Sequence, residues 1–353
     1  MTQFSHITAA LALPEPELAT QAIEKLLGGH ALLEAEAEAL FGEIVAGRLA
    51  DPLMSAAFVA LRLKGESAAE LTGAARALRG AARPFPRPDY LFADSCGTGG
   101  DCSGSINVST AAGLVAAACG LPVVKHGNRS FTSKCGSADV LEALGAKLDA
   151  APEVSRASLD ATGYCFLLAP MYHPGVAHAG PVRRALKVRT VMNLLGPCLN
   201  PARPQVQLLG VAEPALLRPI AETLAALGVE RALVVHGSGL DEIALHGPTR
   251  AVRLSAGELN EVEITPEQAG LERQPVEQIA GGDPAENARR LRAVLGGRGG
   301  SAERDVVAIN ASALLLTAGR ATDLRDGTGQ ALEAIGSGSA LTVLERFVEA
   351  SNG

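Results

Sequence analysis

Over the first eighty residues the apolar positions recur every three or four residues. Four such segments, 17–27, 32–47, 52–63 and 67–79, predict amphipathic helices. Asp51-Pro52 reads as a cap followed by proline in the first turn, and Ser67-Ala-Ala-Glu70 as a capping box. No strand pattern interrupts them, so this part is a small α bundle. Arg83-Pro-Phe-Pro-Arg-Pro-Asp89 cannot continue a helix, because proline lacks the N–H donor and crowds the residue before it. Beyond it the period changes. Short apolar runs at 90–93, 122–125, 164–169, 207–211 and 232–235 predict strands, with helices at 109–119, 137–145, 152–162 and 214–227 between them. Such alternation predicts a parallel sheet covered on both faces, with ligands at the carboxyl ends of the strands, where Gly97, Lys125, Ala169 and His236 would meet. Runs at 243–246 and 251–254 predict short strands of a peripheral antiparallel segment, and 284–351 returns to helix. The predicted fold class is α/β. A small N-terminal α-helical domain (1–82) joins a larger domain (83–353) with a mostly parallel central sheet covered by helices. A helical segment near 178–200 is expected to pack on the N-terminal domain.

Composition narrows this picture. Hydrophobic residues make up 47% of the 353, but aromatics only 3% and tryptophan none, so Ala, Leu, Val and Gly must build the core. A net charge of −7 leaves no basic field for a nucleic-acid backbone, and any anionic ligand must be held by local cations and backbone amides. The longest apolar run, 111–124, is too short to span a bilayer and contains Gly113, Gly120 and Pro122. The start of the chain lacks the pattern of a secretory signal. Six cysteines without C-x-x-C or zinc spacing predict mostly buried, reduced thiols and a cytoplasmic protein.

The densest chemistry lies in Asp94-Ser-Cys-Gly-Thr-Gly-Gly-Asp-Cys-Ser-Gly-Ser-Ile-Asn-Val-Ser-Thr110. Its glycines follow an apolar run and precede a helix, an order that suits a strand, a phosphate-cradling loop and a helix N-terminus as well as a plain tight turn. A dinucleotide fingerprint beginning at Gly97 would need glycine where Cys102 stands, and no Gly-Lys-Ser/Thr follows as in a Walker loop. Asp101 would repel a bare anion, so it fits a loop that also faces a sugar hydroxyl or a metal bridging to phosphate. Lys125-His-Gly-Asn-Arg-Ser130 ends a predicted strand with two cations, and Asp241-Glu242 follows the flexible Gly237-Ser-Gly239. Adjacent carboxylates share a cation only on a loop; an ordinary surface dipeptide is the other reading of that pair.

Gly97-Thr-Gly-Gly-Asp101 with Asn107-Val-Ser-Thr110 resembles the phosphoribosyl pyrophosphate loop of the anthranilate phosphoribosyltransferases of tryptophan biosynthesis. The likeness continues in family order through 125–130, 136–145, Ala169-Pro-Met-Tyr-His-Pro174, Pro181-Val-Arg183, Arg189-Thr-Val-Met-Asn-Leu-Leu-Gly-Pro197 and Gly239-Leu-Asp-Glu242. The resemblance implies that phosphoribosyl pyrophosphate is bound by Gly97, Gly100, Asp101, Ser105, Asn107, Val108, Ser109, Thr110, Lys125, His126, Gly127, Asn128, Arg129, Ser130, Phe131, Thr132, Ser133 and Ser137. In it Lys125 and Arg129 would neutralise the pyrophosphate. It implies an anthranilate pocket from Gly97, Asn128 and Arg183, with His126, Met171, Tyr172 and His173 beside it. Arg183 is the expected carboxylate partner because its planar fork offers two donors at once, while Arg184 and Lys187 face solvent. The metal would be Mg2+, two ions per subunit, on Ser109, Asp241 and Glu242. No covalent nucleophile is expected, and the assembly would be a homodimer formed through the helical domain, with neither nucleic acid nor membrane as a partner.

Two other readings fit parts of the pattern. A pyrimidine nucleoside phosphorylase would bind inorganic phosphate without needing the Asp241-Glu242 pair or Arg183. A non-catalytic paralogue binding phosphoribosyl pyrophosphate or nucleic acid would be basic and would lack the acceptor-side residues, whereas this chain is acidic and keeps Asn128 and Arg183.

Overall fold

The computed structural model describes residues 15–130 and 134–353. The chain opens with four helices, α1 (Glu15–Leu27), α2 (Glu34–Val45), α3 (Asp51–Lys64) and α4 (Ala68–Gly80). The capping box forms at Ser67: its Oγ accepts from Glu70 N at 3.3 Å and Glu70 Oε2 accepts from Ser67 N at 2.8 Å. Glu70 is itself buried and also accepts from Leu32 N and from Lys64 Nζ, so one carboxylate ties together the starts of α2 and α4 and the end of α3. The other expected cap is corrected by one position. Ala50 is the N-cap without a side-chain bond, and Asp51 is the first helical residue, where its charge complements the helix dipole.

The remainder alternates strand and helix: β1 (Ala93–Gly97), α5 (Val108–Ala118), β2 (Val123–Gly127), α6 (Ser137–Ala143), α7 (Pro152–Thr162), β3 (Tyr164–Leu168). There follow the short α8 (Ala169–Tyr172), α9 (Gly180–Leu186) and α10 (Val191–Leu195), then β4 (Val206–Gly210), α11 (Leu217–Ala226), β5 (Arg231–His236), β6 (Thr249–Ser255) and β7 (Glu258–Ile264). Four helices close the chain: α12 (Pro284–Leu295), α13 (Ser301–Thr317), α14 (Leu324–Gly336) and α15 (Ser339–Asn352). Among the described residues the strands form one sheet in the order β3-β2-β1-β4-β5-β6-β7, parallel through β5 and antiparallel thereafter. The chain winds outward from β1 in one direction and from β4 in the other, so the strand order reverses between them. That is the place where open α/β sheets leave a crevice.

Both faces of the sheet are covered. Leu208, Leu233 and Val235 pack with α5 and α13, while Leu209, Ala232 and Val234 belong to a second cluster with α11 and with Phe41, Phe58 and Leu71 of the bundle. Ala179, Val182, Val191, Leu194 and Leu195 lie in that second cluster, which carries the 178–200 segment onto the bundle.

Two strand expectations are corrected. The first strand starts at Ala93 instead of ending there: it runs through Asp94 and Ser95, whose buried polar side chains break the apolar signal. Residues 243–246 form a buried loop, not a strand. Asn310 supplies the partners of Ile243, accepting from its N–H at 2.9 Å and donating to its carbonyl at 3.0 Å, and Thr249 Oγ1 accepts from Ala244 N at 3.0 Å. The partner of β6 is β7, whose exposed Glu258, Glu261 and Glu263 give a charged edge and hide its strand character in the sequence. All six cysteines are free. Four are buried and Cys119 half-buried, but Cys102 is exposed in the glycine loop.

Candidate active site

Gly97 ends β1 and stands in register with Gly210 at the end of β4. A methyl group on either would overlap Asp241, Gly210 against its backbone and Gly97 against its carboxylate. The two glycines therefore let the loop after β5 lie directly over the strand ends, which brings Asp241 and Glu242 to the switch point of the sheet. There a cleft of about 410 Å3 opens.

One wall is the loop between β1 and α5. Gly99 and Gly100 both take positive φ, +66° and +80°, a conformation that favours glycine. Gly99 N donates to Asp241 Oδ2 at 2.7 Å, and Ser109 N in the first turn of α5 donates to Glu242 Oε1 at 3.0 Å. Asp101 Oδ2 accepts from Asp241 N at 3.4 Å. The donors suited to an anion are thus held by two carboxylates. Burial, with the neighbouring Asp101, pushes the Asp241 carboxyl up to about 7, and burial with Asp241 raises Glu242 well above the carboxylate range. Among the described residues no three acidic, His or Cys side chains form a ready-made metal centre. A magnesium ion here would need oxygens from phosphate and water as well, which is its usual preference.

The opposite wall is the end of β2. Lys125, buried, donates from Nζ to Ser109 Oγ at 3.1 Å and to Ser95 O. Asn128 O accepts from Ala138 N at 3.2 Å and from Ser137 Oγ at 3.4 Å, while Asp139 Oδ2 accepts from both Ser130 N (2.8 Å) and Gly136 N (2.7 Å). These bonds fold the 128–130 turn against the start of α6. Arg129 lines the cleft but bonds Glu142, its Nε lying 3.1 Å from Oε2, so the expected pyrophosphate contact has a carboxylate partner instead.

Gly97, Gly100, Asp101, Ser105, Asn107, Val108, Ser109, Thr110, Lys125, His126, Gly127, Asn128, Arg129, Ser130, Ser137, Arg183, Asp241 and Glu242 all line this one cleft. Phe131, Thr132 and Ser133 lie outside the described residues. Of the residues expected beside the acceptor pocket, Met171, Tyr172 and His173 do not line the cleft. Tyr172 is buried against Phe85, Phe92 and Leu159 on the far side of α8. His173 sits one layer back with its ring 5.2 Å from that of His126. Burial lowers His126 to about 3, so its imidazole is neutral near pH 7. Arg183 is half-buried at the cleft on α9, and Arg184 is exposed. The floor also contains Met192, Asn193, Gly282 and Asn287, which pattern reasoning did not select. Asn287 donates to Asn107 Oδ1 at 3.0 Å from α12. Gly281-Gly282 before the Asp283 cap was the available signal, because small residues ahead of a helix start permit close approach.

A model of the glycosyl transferase family, a/b domain, matches residues 89–341, and a model of its helical bundle domain matches residues 20–82. The anthranilate phosphoribosyltransferase of Sorangium cellulosum is 58% identical over 329 residues, covering 93% of this chain and 94% of that protein. The structure of the Thermus thermophilus enzyme superposes with a TM-score of 0.89 at 43% identity, covering 94% of this chain and 99% of that one. The Saccharomyces cerevisiae enzyme, solved in complex with PRPP and Mg, does so with a TM-score of 0.87 at 28% identity, covering 96% and 99%. Similarity of this degree along nearly the whole length leaves one assignment: the chain belongs to the anthranilate phosphoribosyltransferase family.

Proposed function

We infer that the chain transfers the phosphoribosyl group of 5-phosphoribosyl 1-pyrophosphate to the amine of anthranilate, releasing pyrophosphate, in tryptophan biosynthesis. The observation that carries this reading is the convergence, in one cleft, of the glycine loop, Lys125 and the Asp241-Glu242 pair, with Arg183 beside them. The amides of Gly99 and Ser109 are donors matched to phosphate oxygens, and Lys125 supplies a buried positive charge. Asn128, Ser130 and Ser137 add polar groups along the same wall.

Asp241 and Glu242, with Ser109, are the oxygen donors that would hold magnesium; two ions per subunit are proposed. Their fit rests on the crowding of half-buried carboxylates, Asp241 beside Asp101 and Glu242 beside Asp241, a repulsion that a divalent cation relieves. When bound, magnesium supplies charge neutralisation to the departing pyrophosphate. Arg183 offers its fork to the acceptor carboxylate, with Gly97, Asn128 and the neutral His126 nearby. Catalysis by this chain is positioning and charge stabilisation, without a covalent nucleophile. Loss of anthranilate fluorescence, dependent on both phosphoribosyl pyrophosphate and magnesium, tests the assignment. Turnover of a pyrimidine nucleoside with inorganic phosphate, and none of anthranilate, would replace it.

The bundle also presents exposed Leu27, Val59 and Leu63 around an apolar groove between α1 and α3. That face supports the proposed homodimer through the helical domain. A boundary near residue 82 is supported by the lack of helix or strand between Gly80 and Ala93, and a cytoplasmic location by the free thiols. No helix among the described residues is long and apolar enough to cross a membrane.

A further inference from the structure

β1 and β2 are neighbours, yet they form a ladder at only one position, Ala93 with Val123, whereas β1 and β4 pair through all five residues from Ala93 to Gly97. Continued in register, the first pairing would bond Val124 O and His126 N to the β1 backbone at Ser95. Side chains hold these groups instead. Val124 O accepts from Asn200 Nδ2 at 2.8 Å, His126 N donates to Asp94 Oδ1 at 3.4 Å, and Ser95 O accepts from Lys125 Nζ. Asn200 Nδ2 also donates to Asp94 Oδ2 at 2.9 Å, and Asn200 Oδ1 accepts from Ala202 N at 3.0 Å. Asp94 and Asn200 are buried, with 0% and 1% exposure, and neither lines the cleft.

We propose that Asp94 and Asn200 are positioning residues that hold β2 away from β1, so that the Lys125 ammonium passes through the parted sheet to the pyrophosphate end of the cleft. With the regular ladder in place, Ser95 O would accept from His126 N, and the Lys125 amine would have to share that carbonyl with it. Opened, it offers that carbonyl as the inner anchor, and Ser109 Oγ at 3.1 Å lies beyond it at the start of α5. Asp94 further balances the buried charge. Burial raises its carboxyl to about 6, and Lys125 is the strongest influence pulling it back down. Asn200 belongs to the segment after Gly196 and Pro197, which line the cleft, so one amide locks the spread of the strands to the cleft floor.

The proposal rests on phosphoribosyl pyrophosphate being the substrate, and its test separates the two. Asn200→Ala and Asp94→Asn in the full chain are compared with Lys125→Met, by calorimetric titration with phosphoribosyl pyrophosphate and magnesium and by initial rates against anthranilate. Asn200→Ala should weaken phosphoribosyl pyrophosphate about tenfold, the cost of unpairing a buried charged group, and leave the anthranilate KM within about twofold. In the Lys125→Met background the same substitution should add almost nothing, since both act through one ammonium. Unchanged phosphoribosyl pyrophosphate affinity, equal losses for both substrates, or fully multiplicative losses would overturn the positioning role. Failure of the unsubstituted chain to bind phosphoribosyl pyrophosphate would overturn the substrate assignment and the proposal with it. If Asn200→Ala fails to give a cooperative melt, Asn200→Ser, which keeps a donor for Val124 O, decides by the same criteria.

Discussion

The two ends of the cleft are built in different ways. The proposed pyrophosphate end is made of contiguous stretches: a loop of residues 97–110, the tip of β2 and the pair Asp241-Glu242. The proposed acceptor end is assembled from single side chains on the faces of short helices, Arg183 on α9 and Met192 and Asn193 on α10, and it leans on the bundle through Val182, Val191 and Leu194. A site made of backbone is specified by glycines and their spacing. A site made of helix faces depends on which side of a five- or seven-residue helix turns inward. The first kind tolerates little local change. The second is sensitive to how the bundle and the sheet dock.

The largest test of this contrast is at the backbone end. Asp241→Asn with Glu242→Gln should lower kcat/KM roughly a hundredfold or more, as each carboxylate–metal contact stabilises the transition state by a few kcal/mol. The melting temperature in chelator at pH 8 should hold or rise. Asp241 titrates higher when folded, so its ionisation costs stability as pH climbs through about 7, and the amides remove that cost. Full activity in the double variant would remove the metal assignment. Chelation alone should likewise abolish turnover by the unsubstituted chain.

At the acceptor end, Arg183→Ala should cost about ten- to hundredfold in kcat/KM for anthranilate, the worth of a charge-assisted hydrogen bond, with phosphoribosyl pyrophosphate affinity near normal. Arg183→Lys should recover only part, because an ammonium lacks the fork. If Arg184→Ala, on the exposed neighbour, proves the more damaging, the inward face of α9 has been misjudged. Gly99→Val should weaken phosphoribosyl pyrophosphate about tenfold: a branched residue at φ +66° costs on the order of 1–2 kcal/mol in the loop itself. Equal affinity by calorimetry would put the cradle elsewhere.

The smallest effects belong to Tyr172, behind the proposed acceptor wall, and to the neutral ring of His126. Tyr172→Phe should alter the anthranilate KM by less than about twofold, since the ring is packed among apolar groups and a buried hydroxyl without a substrate contact adds little. His126 sits neutral with its acid form suppressed by burial, and such a group adds stability above its unfolded value near 6.5 that is lost as pH falls toward about 3. His126→Gln should therefore flatten the decline in melting temperature between pH 7 and pH 5, and an unchanged slope would show that the ring is not the cause.

Much of the fold was legible because period and punctuation are local. The α helices of the bundle, the capping box at Ser67, β2 through β5 and the helices α5, α6, α7 and α11 follow from apolar spacing and turn residues. Where the reading slipped, long-range partners had replaced local signal. β1 carries buried Asp94 and Ser95, which look like loop residues until Asn200, more than a hundred positions away, satisfies the carboxylate. Residues 243–246 look like a strand until Asn310 takes their backbone bonds.

By itself the sequence determined which residues could cradle a phosphate and where a paired carboxylate stood, because glycine spacing and adjacency act within a few residues. Only the tertiary structure decided that Gly97 and Gly210 leave room for Asp241, that Asn287 joins the cleft, and that Tyr172 turns away from it. It also decided that β1 and β2 part beyond their first pair, since a missing ladder is visible only when both strands and the side chains between them are in place. The physical reason is common to all four: close packing and burial couple residues far apart in the chain, and no local pattern encodes which of them will meet.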